Sequence, residues 1–316
     1  MQSILQKTTG IGPTPVEPDN LDGRVAVVTG GAFGIGFEVS RALAHAGCRV
    51  IMVNRKEEQG EDAKATITAE SPGAMIEWKE CDLGNLRQVR DVFTELGKSL
   101  ERLDFLVLSA GINVNEPGLD ADGIDRHFGT SKLVGSPEPR VVFEASEMHR
   151  TAPKNVHFAS LEEINDIGEG GLGPTELYGR TKLALILFAK YGLAGKVIKE
   201  NEDRIWAVSV HPGAVNTAMQ QQWKDAYPGV TGTLLSWAML AFGRDVKQGS
   251  YSALWALTSP TIQNGWYYND PDTPGKESAQ ASDEKLGVAL FDLSERIIKE
   301  KLGEDALVSW KETKLD

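Results

Sequence analysis

Apolar residues recur along this chain in two alternating rhythms. Short apolar runs read as strands near residues 24–29, 49–54, 75–80, 103–109, 139–145, 204–210 and 265–268, the first of them β-branched and bounded by Gly23 and Gly30. Between them, apolar positions spaced three and four apart read as helices near 34–46, 56–70, 85–101, 174–200, 247–258 and 283–302. Strands and helices that alternate in this way predict βαβ units and a parallel sheet. No internal repeat or low-complexity segment interrupts the pattern. Residues 1–20 carry prolines at 13, 15 and 18 and read as an irregular arm ahead of a single domain over 21–316.

The first strand runs straight into Thr29-Gly30-Gly31-Ala32-Phe33-Gly34-Ile35-Gly36, and a helical pattern follows. Glycines in a strand-to-helix turn let backbone N–H groups come close to a pyrophosphate, and the helix N-terminus adds partial positive charge. With a strand before it and a helix after it, the turn reads as a nucleotide site and not as a bare tight turn. The second strand ends in Asn54-Arg55-Lys56. An acidic residue there would hydrogen-bond a ribose 2′-hydroxyl. Arg55 instead suits bidentate contact with a 2′-phosphate, so NADP is expected ahead of NAD.

Tyr178 and Lys182 stand four residues apart at the start of a long apolar run. Residues at that spacing share a helix face. An ammonium beside a phenol favours the phenolate, which makes the pair a candidate acid/base device. Alone it is a weak signal, because the same spacing is common on solvated faces.

Together, Thr29-Gly30-x-x-x-Gly34-x-Gly36 and Tyr178-x-x-x-Lys182 resemble the signature pair of the short-chain dehydrogenases/reductases. The glycine spacing matches the compact type and not the extended epimerase type. The local wording is similar to the retinol-dehydrogenase-like branch, which includes WW-domain-containing oxidoreductase and many fungal reductases. The resemblance runs from about Asp22 to about Leu307. It implies an α/β fold, a Rossmann-like doubly wound parallel sheet in the order 3-2-1-4-5-6-7. It also implies a nicotinamide cofactor held by Thr29, Gly30, Gly34, Ile35 and Gly36. Asp82 and Leu83 would contact the adenine. Ser109, Ala110 and Gly111 would line the cofactor where the family usually has Asn-Ala-Gly, the serine being a departure that could weaken a link between strands. Pro212, Gly213, Val215 and Thr217 would meet the nicotinamide carboxamide, with His211 structural. Ser146, at the exit of the fifth strand, falls on the catalytic serine and would hold the substrate oxygen. Tyr178 would exchange its proton, and Lys182 would bind the nicotinamide ribose and tune Tyr178. Both then belong to the cofactor site as well.

The resemblance breaks after Thr130. There the family continues with an Asn-containing motif and a long apolar helix, whereas this chain passes directly to Ser131-Lys132-Leu133. About 20 residues of family helix, roughly 30 Å, are missing at 1.5 Å per residue. They include the Asn that supports a proton-relay water and much of the usual dimer interface, so a family-type homodimer is not expected. A skipped exon or gene-model error, a natural truncated isoform and a specialised member each account for the gap. A βαβ crossover needs about a dozen residues, so the sheet can still close.

Composition narrows the class. The 316 residues suffice for one large α/β domain. With 33 Lys and Arg against 45 Asp and Glu, the net charge is −12, which argues against nucleic acid and anionic membranes as partners. Only Cys48 and Cys81 are present, and the histidines do not pair at ligand spacing, so neither a disulfide framework nor a metal is expected. No uninterrupted apolar run reaches about 18 residues, and no secretory pattern opens the chain. A cytoplasmic setting fits. Residues 214–245 carry Met219, Trp223, Tyr227, Trp237 and Met239, which suit either an apolar lid over a small-molecule substrate or ordinary core. The expected activity is NADP-dependent hydride transfer on an apolar alcohol/carbonyl pair. The rival is a catalytically weak cofactor-binding isoform.

Overall fold

The computed structural model describes residues 12–111, 119–124, 138–166, 172–215 and 243–307. Its centre is an eight-stranded sheet in the order β3-β2-β1-β4-β5-β6-β7-β8. The strands are β1 (Val25–Thr29), β2 (Arg49–Asn54), β3 (Ile76–Glu80), β4 (Phe105–Leu108), β5 (Arg140–Glu144), β6 (Trp206–Val210), β7 (Tyr267–Asp270) and β8 (Thr273–Pro274). The first seven pair in parallel, and β8 turns back antiparallel on β7. The order expected from the sequence holds through β7. The short edge strand β8 was not legible, because two residues carry no period and its proline reads as a breaker.

The helices are α1 (Gly34–His45), α2 (Glu57–Glu70), α3 (Leu86–Ser99), α4 (Leu161–Asn165), α5 (Pro174–Leu187), α6 (Val246–Thr258) and α7 (Glu284–Leu302). Alternation along the strands divides the core between the two faces of the sheet. Val28, Val107 and Val142 point to one side, where they pack with Val39 and Leu43 of α1, Ile67 of α2 and Leu254 of α6. Val27, Leu106, Val141 and Phe143 point to the other, with Leu96 of α3. Each fully buried side chain of this size contributes about 1.5–3 kcal/mol.

The helix ends follow sequence cues. Asn85 caps α3 by accepting from the N–H of Gln88 at 3.1 Å. Asp245 and Gln248 form a reciprocal capping box on α6, at 2.8 and 3.2 Å. Pro174 opens α5, where its missing N–H leaves no donor unsatisfied. That helix does not stop at Leu187. It widens into a π-helical stretch, Phe188–Ile198, and closes with Lys199–Asn201. The wide turns carry Tyr191 against Gly287 of α7, and Lys196 pairs with Asp292 of α7 at 2.8 Å. Residues 12–20 form neither helix nor strand, though Val16 packs on the core.

Candidate active site

The carboxyl ends of β1 and β4 are stitched together before any ligand is considered. Thr29 Oγ1 donates to the Val107 carbonyl at 3.4 Å and accepts from the Ala110 N–H at 3.3 Å. Gly30 follows at φ +67°, and a Cβ on it would stand 2.8 Å from Ala110 Cα, so only glycine fits there. Gly34 opens α1 at φ +60° with nothing within 4 Å of where a side chain would begin. Phe33 at the N-cap provides no side-chain acceptor, and the first turn holds no acidic residue. The first-turn N–H groups, including those of Ile35 and Gly36, therefore lack an intrahelical partner and face an open cradle. That arrangement fits a pyrophosphate.

The other nucleotide positions are arranged around this turn. Arg55 and Lys56 are both exposed just past β2, and Asn54 Nδ2 donates to the Lys56 carbonyl at 2.9 Å. Asp82 makes local bonds: its Oδ1 accepts from Gly84 N–H at 3.0 Å, and its own N–H donates to Gln88 Oε1 at 2.9 Å. Leu83 packs on the core beneath. Gly111, like Gly34, opens onto free space. Across the cleft, Arg244 donates to the Pro212 carbonyl at 3.1 Å and lies against Gly213. Val215 pairs with Arg244 as a single parallel bridge and meets Ile35 at Gly249. Thr217 lies outside the described residues, as do 216–242 of the expected lid and most of the crossover around Thr130.

Two elements that carry Ser146, Tyr178 and Lys182 meet beyond β5. Ser146 caps a short 3₁₀ turn, Glu147–Thr151, by accepting from the Met148 N–H at 3.1 Å. Its hydroxyl hydrogen is left to donate elsewhere. Gly179 of α5 lies so close to this turn that a Cβ would stand 2.7 Å from the Met148 carbonyl and 2.8 Å from Ala152 N. Thr151 Oγ1, bonded at 2.8 Å to Met148 O and 2.9 Å to Thr175 O, ties the turn to the start of α5. This contact holds Tyr178 beside the Ser146 turn. Tyr178 is partly exposed, and the Lys182 ammonium lies 5.4 Å from its ring centre. Lys182 is buried and spends one donor on the Glu144 carbonyl at 2.6 Å. Two of its donors remain.

A family model described as short chain dehydrogenase matches residues 24–130. The chain is 30% identical to the short chain dehydrogenase/reductase dpchH of Colletotrichum higginsianum over 316 residues, 89% of this chain and 76% of that protein. The chain belongs to the short-chain dehydrogenase/reductase family. It is also 30% identical to bli-4 of Neurospora crassa, whose name describes a mitochondrial oxidoreductase, over 92% of this chain and 76% of that one. Among solved structures, a short chain dehydrogenase from Burkholderia cenocepacia in complex with NADP shares the fold, with TM-score 0.59, 22% identity, and 81% and 99% of the two chains covered. This family member is an oxidoreductase enzyme, and no helix among its described residues is long and apolar enough to cross a membrane.

Two features of this family member escape a motif search. The first is Glu144, a carboxylate at the end of an otherwise apolar strand. Its Oε2 accepts from Ser109 Oγ at 2.8 Å. The serine forms a link between the ends of the two strands, through a side chain on β5. The one sequence signal was a charged residue inside Val-Val-Phe-Glu-Ala. The second is the brace behind Ser146. His149 is fully buried and bonds the Ser146 carbonyl through Nδ1 at 2.8 Å, while its Nε2 accepts from Ser278 N–H at 3.1 Å. Burial holds its pKa below the usual value, which suits this neutral tautomer. Tyr267 donates to Glu147 at 2.9 Å. His211 Nδ1 accepts from Glu147 N–H at 3.4 Å, and burial pushes it down to about 4.

Proposed function

We propose that this enzyme transfers hydride between NADP(H) and the alcohol or carbonyl carbon of an apolar small molecule. The observation that carries the proposal is the packing of the helix that bears Tyr178 and Lys182 against the Ser146 turn, in a chain with an uncapped glycine turn. The residues around that turn fit a dinucleotide. Gly30, Gly34, Ile35 and Gly36 would take the pyrophosphate, and Arg55 the 2′-phosphate. Asp82 and Leu83 would take the adenine, and Ser109, Ala110 and Gly111 would lie along the ribose. Pro212, Gly213, Val215 and Thr217 would hold the carboxamide. The NADP in the Burkholderia cenocepacia structure supports the cofactor class. When bound, a nicotinamide supplies or accepts the hydride.

The side chains of the chain then have distinct tasks. Ser146 donates its free hydroxyl hydrogen to the substrate oxygen and fixes its position. Tyr178 gives that oxygen a proton during reduction and removes one during oxidation. Lys182 keeps positive charge beside the phenol and holds the ribose with its unspent donors. The apolar segment 214–245 would shield the substrate. Two buried free thiols suit a reducing compartment, cytosolic or, following the bli-4 name, mitochondrial.

One observation favours a second reading, a catalytically weak cofactor-binding isoform: the crossover after Thr130 lacks the residues that carry the family's Asn. Turnover of NADPH with a panel of apolar carbonyls separates the two. The parent should turn over. Tyr178→Phe should lose about 10²–10⁴-fold in rate, the usual contribution of a positioned acid/base, with cofactor affinity almost unchanged. Tight NADPH binding with no turnover of any carbonyl would favour the weak isoform. A Tyr178→Phe protein at parental rate would overturn the assignment of the acid.

A further inference from the structure

The chemistry above leaves Glu144 without a task, although it lies at the centre of the site. Its side chain follows Val142 onto the face of the sheet covered by α1 and α6. Oε2 is held by Ser109, and Oε1 is buried with no hydrogen-bond partner among the described residues. The same Ser109 Oγ lies 2.9 Å from where a Cβ would stand on Gly36, in the first turn of α1. The carboxyl is therefore one hydroxyl away from the helix end that would meet a pyrophosphate.

Among the described residues, the charges around Glu144 are few. From α5 comes the ammonium of Lys182, bonded to the backbone carbonyl of Glu144. From just past β4 comes the Ser109 hydroxyl. Beyond β6 stands His211, kept neutral by burial. The buried positions of α1 are Gly36, Val39, Ser40, Leu43 and Ala44. On α6, Tyr251 is the one titratable side chain among the buried positions. Burial pushes the Glu144 carboxyl up to about 7, and Ser109 and Lys182 restrain the rise. It is poised to gain or lose a proton near neutrality.

We propose that Glu144 couples filling of the α1 phosphate site to proton uptake, so that an anionic dinucleotide binds together with a proton carried by the Glu144 carboxyl. This rests on the cofactor reading given above. Phosphate charge at the first turn of α1 disfavours a carboxylate beneath it, and burial under the ligand removes more of its water. The carboxylate takes one proton from solvent and becomes the neutral acid, and Oε1 can carry the hydrogen. By linkage, affinity for the dinucleotide falls as pH rises through neutrality.

Calorimetric titration with NADPH, near pH 7 and in two buffers of different ionisation enthalpy, reads the protons directly. The parent should take up protons, and its affinity should fall by up to about tenfold per pH unit above neutrality. Glu144→Gln keeps the shape and should lose both effects. The 2′-phosphate, with a second pKa near ~6, titrates alike in both proteins and cancels in the comparison. If the glutamine variant does not fold, Ser109→Ala serves. It removes the hydroxyl that favours the carboxylate, so Glu144 already holds its proton and uptake should shrink. Equal uptake in parent and variant overturns the coupling, as does tight binding with no proton uptake, and either result leaves the cofactor reading standing. A parent that does not bind NADPH overturns both.

Discussion

Two buried carboxylates sit in neighbouring strands of one sheet, and their surroundings differ in kind. Asp104 lies at the amino end of β4. It receives Arg24 at 2.7 Å, Arg102 at 2.8 and 2.5 Å, and the Val25 N–H at 2.9 Å. Glu144 lies at the carboxyl end of β5 with one serine and an oxygen that has no partner among the described residues. The first is a charge surrounded by donors, which fixes where β1 meets β4. The second is a charge left nearly alone, at the end of the sheet where open parallel sheets bind ligands. A fully partnered carboxylate holds the structure in one state. An under-partnered one responds to what arrives beside it.

The largest expected effect comes from breaking the partnered site. Asp104→Ala should lower stability by about 3 kcal/mol, the lower end of the range for breaking a buried ion pair. Both arginines are partly exposed and can recover water once the carboxylate is gone. Urea denaturation of both proteins measures the difference, and a loss below experimental error would make the two carboxylates alike.

The under-partnered site should show itself through pH. The carboxyl of Glu144 has its pKa raised from 4.5 to about 7 on folding. A carboxyl raised in this way imposes no cost below pH 4.5, where it is protonated in both states. Stability is then lost as pH rises toward 7 and is level above it. The loss is on the order of 3 kcal/mol at 1.36 kcal/mol per pH unit. Glu144→Gln should therefore match its parent under acid conditions and exceed it above neutrality. Parallel curves for the two proteins would remove the distinction from Asp104.

The smallest effect belongs to a charge on the surface. Arg55 is exposed, with no ion pair among the described residues. Arg55→Ala should reduce the preference for NADP(H) over NAD(H) by about tenfold, toward the lower end of the roughly 1.5–3 kcal/mol of a charge-assisted hydrogen bond. Paired calorimetric titrations with the two cofactors check this, and equal affinities in the parent would sink it.

Much of this was legible before any coordinates, for identifiable reasons. Val25–Thr29 is short, β-branched and bounded by glycines, so its strand is local information. The Gly30 and Gly34 turn and the Tyr178/Lys182 spacing are likewise written in adjacent residues. What could not be read depends on partners distant in sequence. Ser109 looked like a lost link because the residue that completes it is 35 positions away. The role of His149 could not be read because its second partner, Ser278, is 129 positions away. The widening of the helix at Phe188 leaves no trace in the sequence, since Phe188–Ile198, with Lys190 and Lys196 among apolar residues, reads as ordinary continuing helix.

That widened stretch sets a fixed phase offset. A helix of uniform pitch locks the heading of every side chain to that of its first residue. By changing pitch at Phe188, this one offsets the heading of its second half from that of its first. The upstream half is aimed at β5 by Lys182 and at the Ser146 turn by Gly179. The downstream half is aimed at α7 by Tyr191 and Lys196. One continuous helix thus meets the Ser146 turn with one half and α7 with the other.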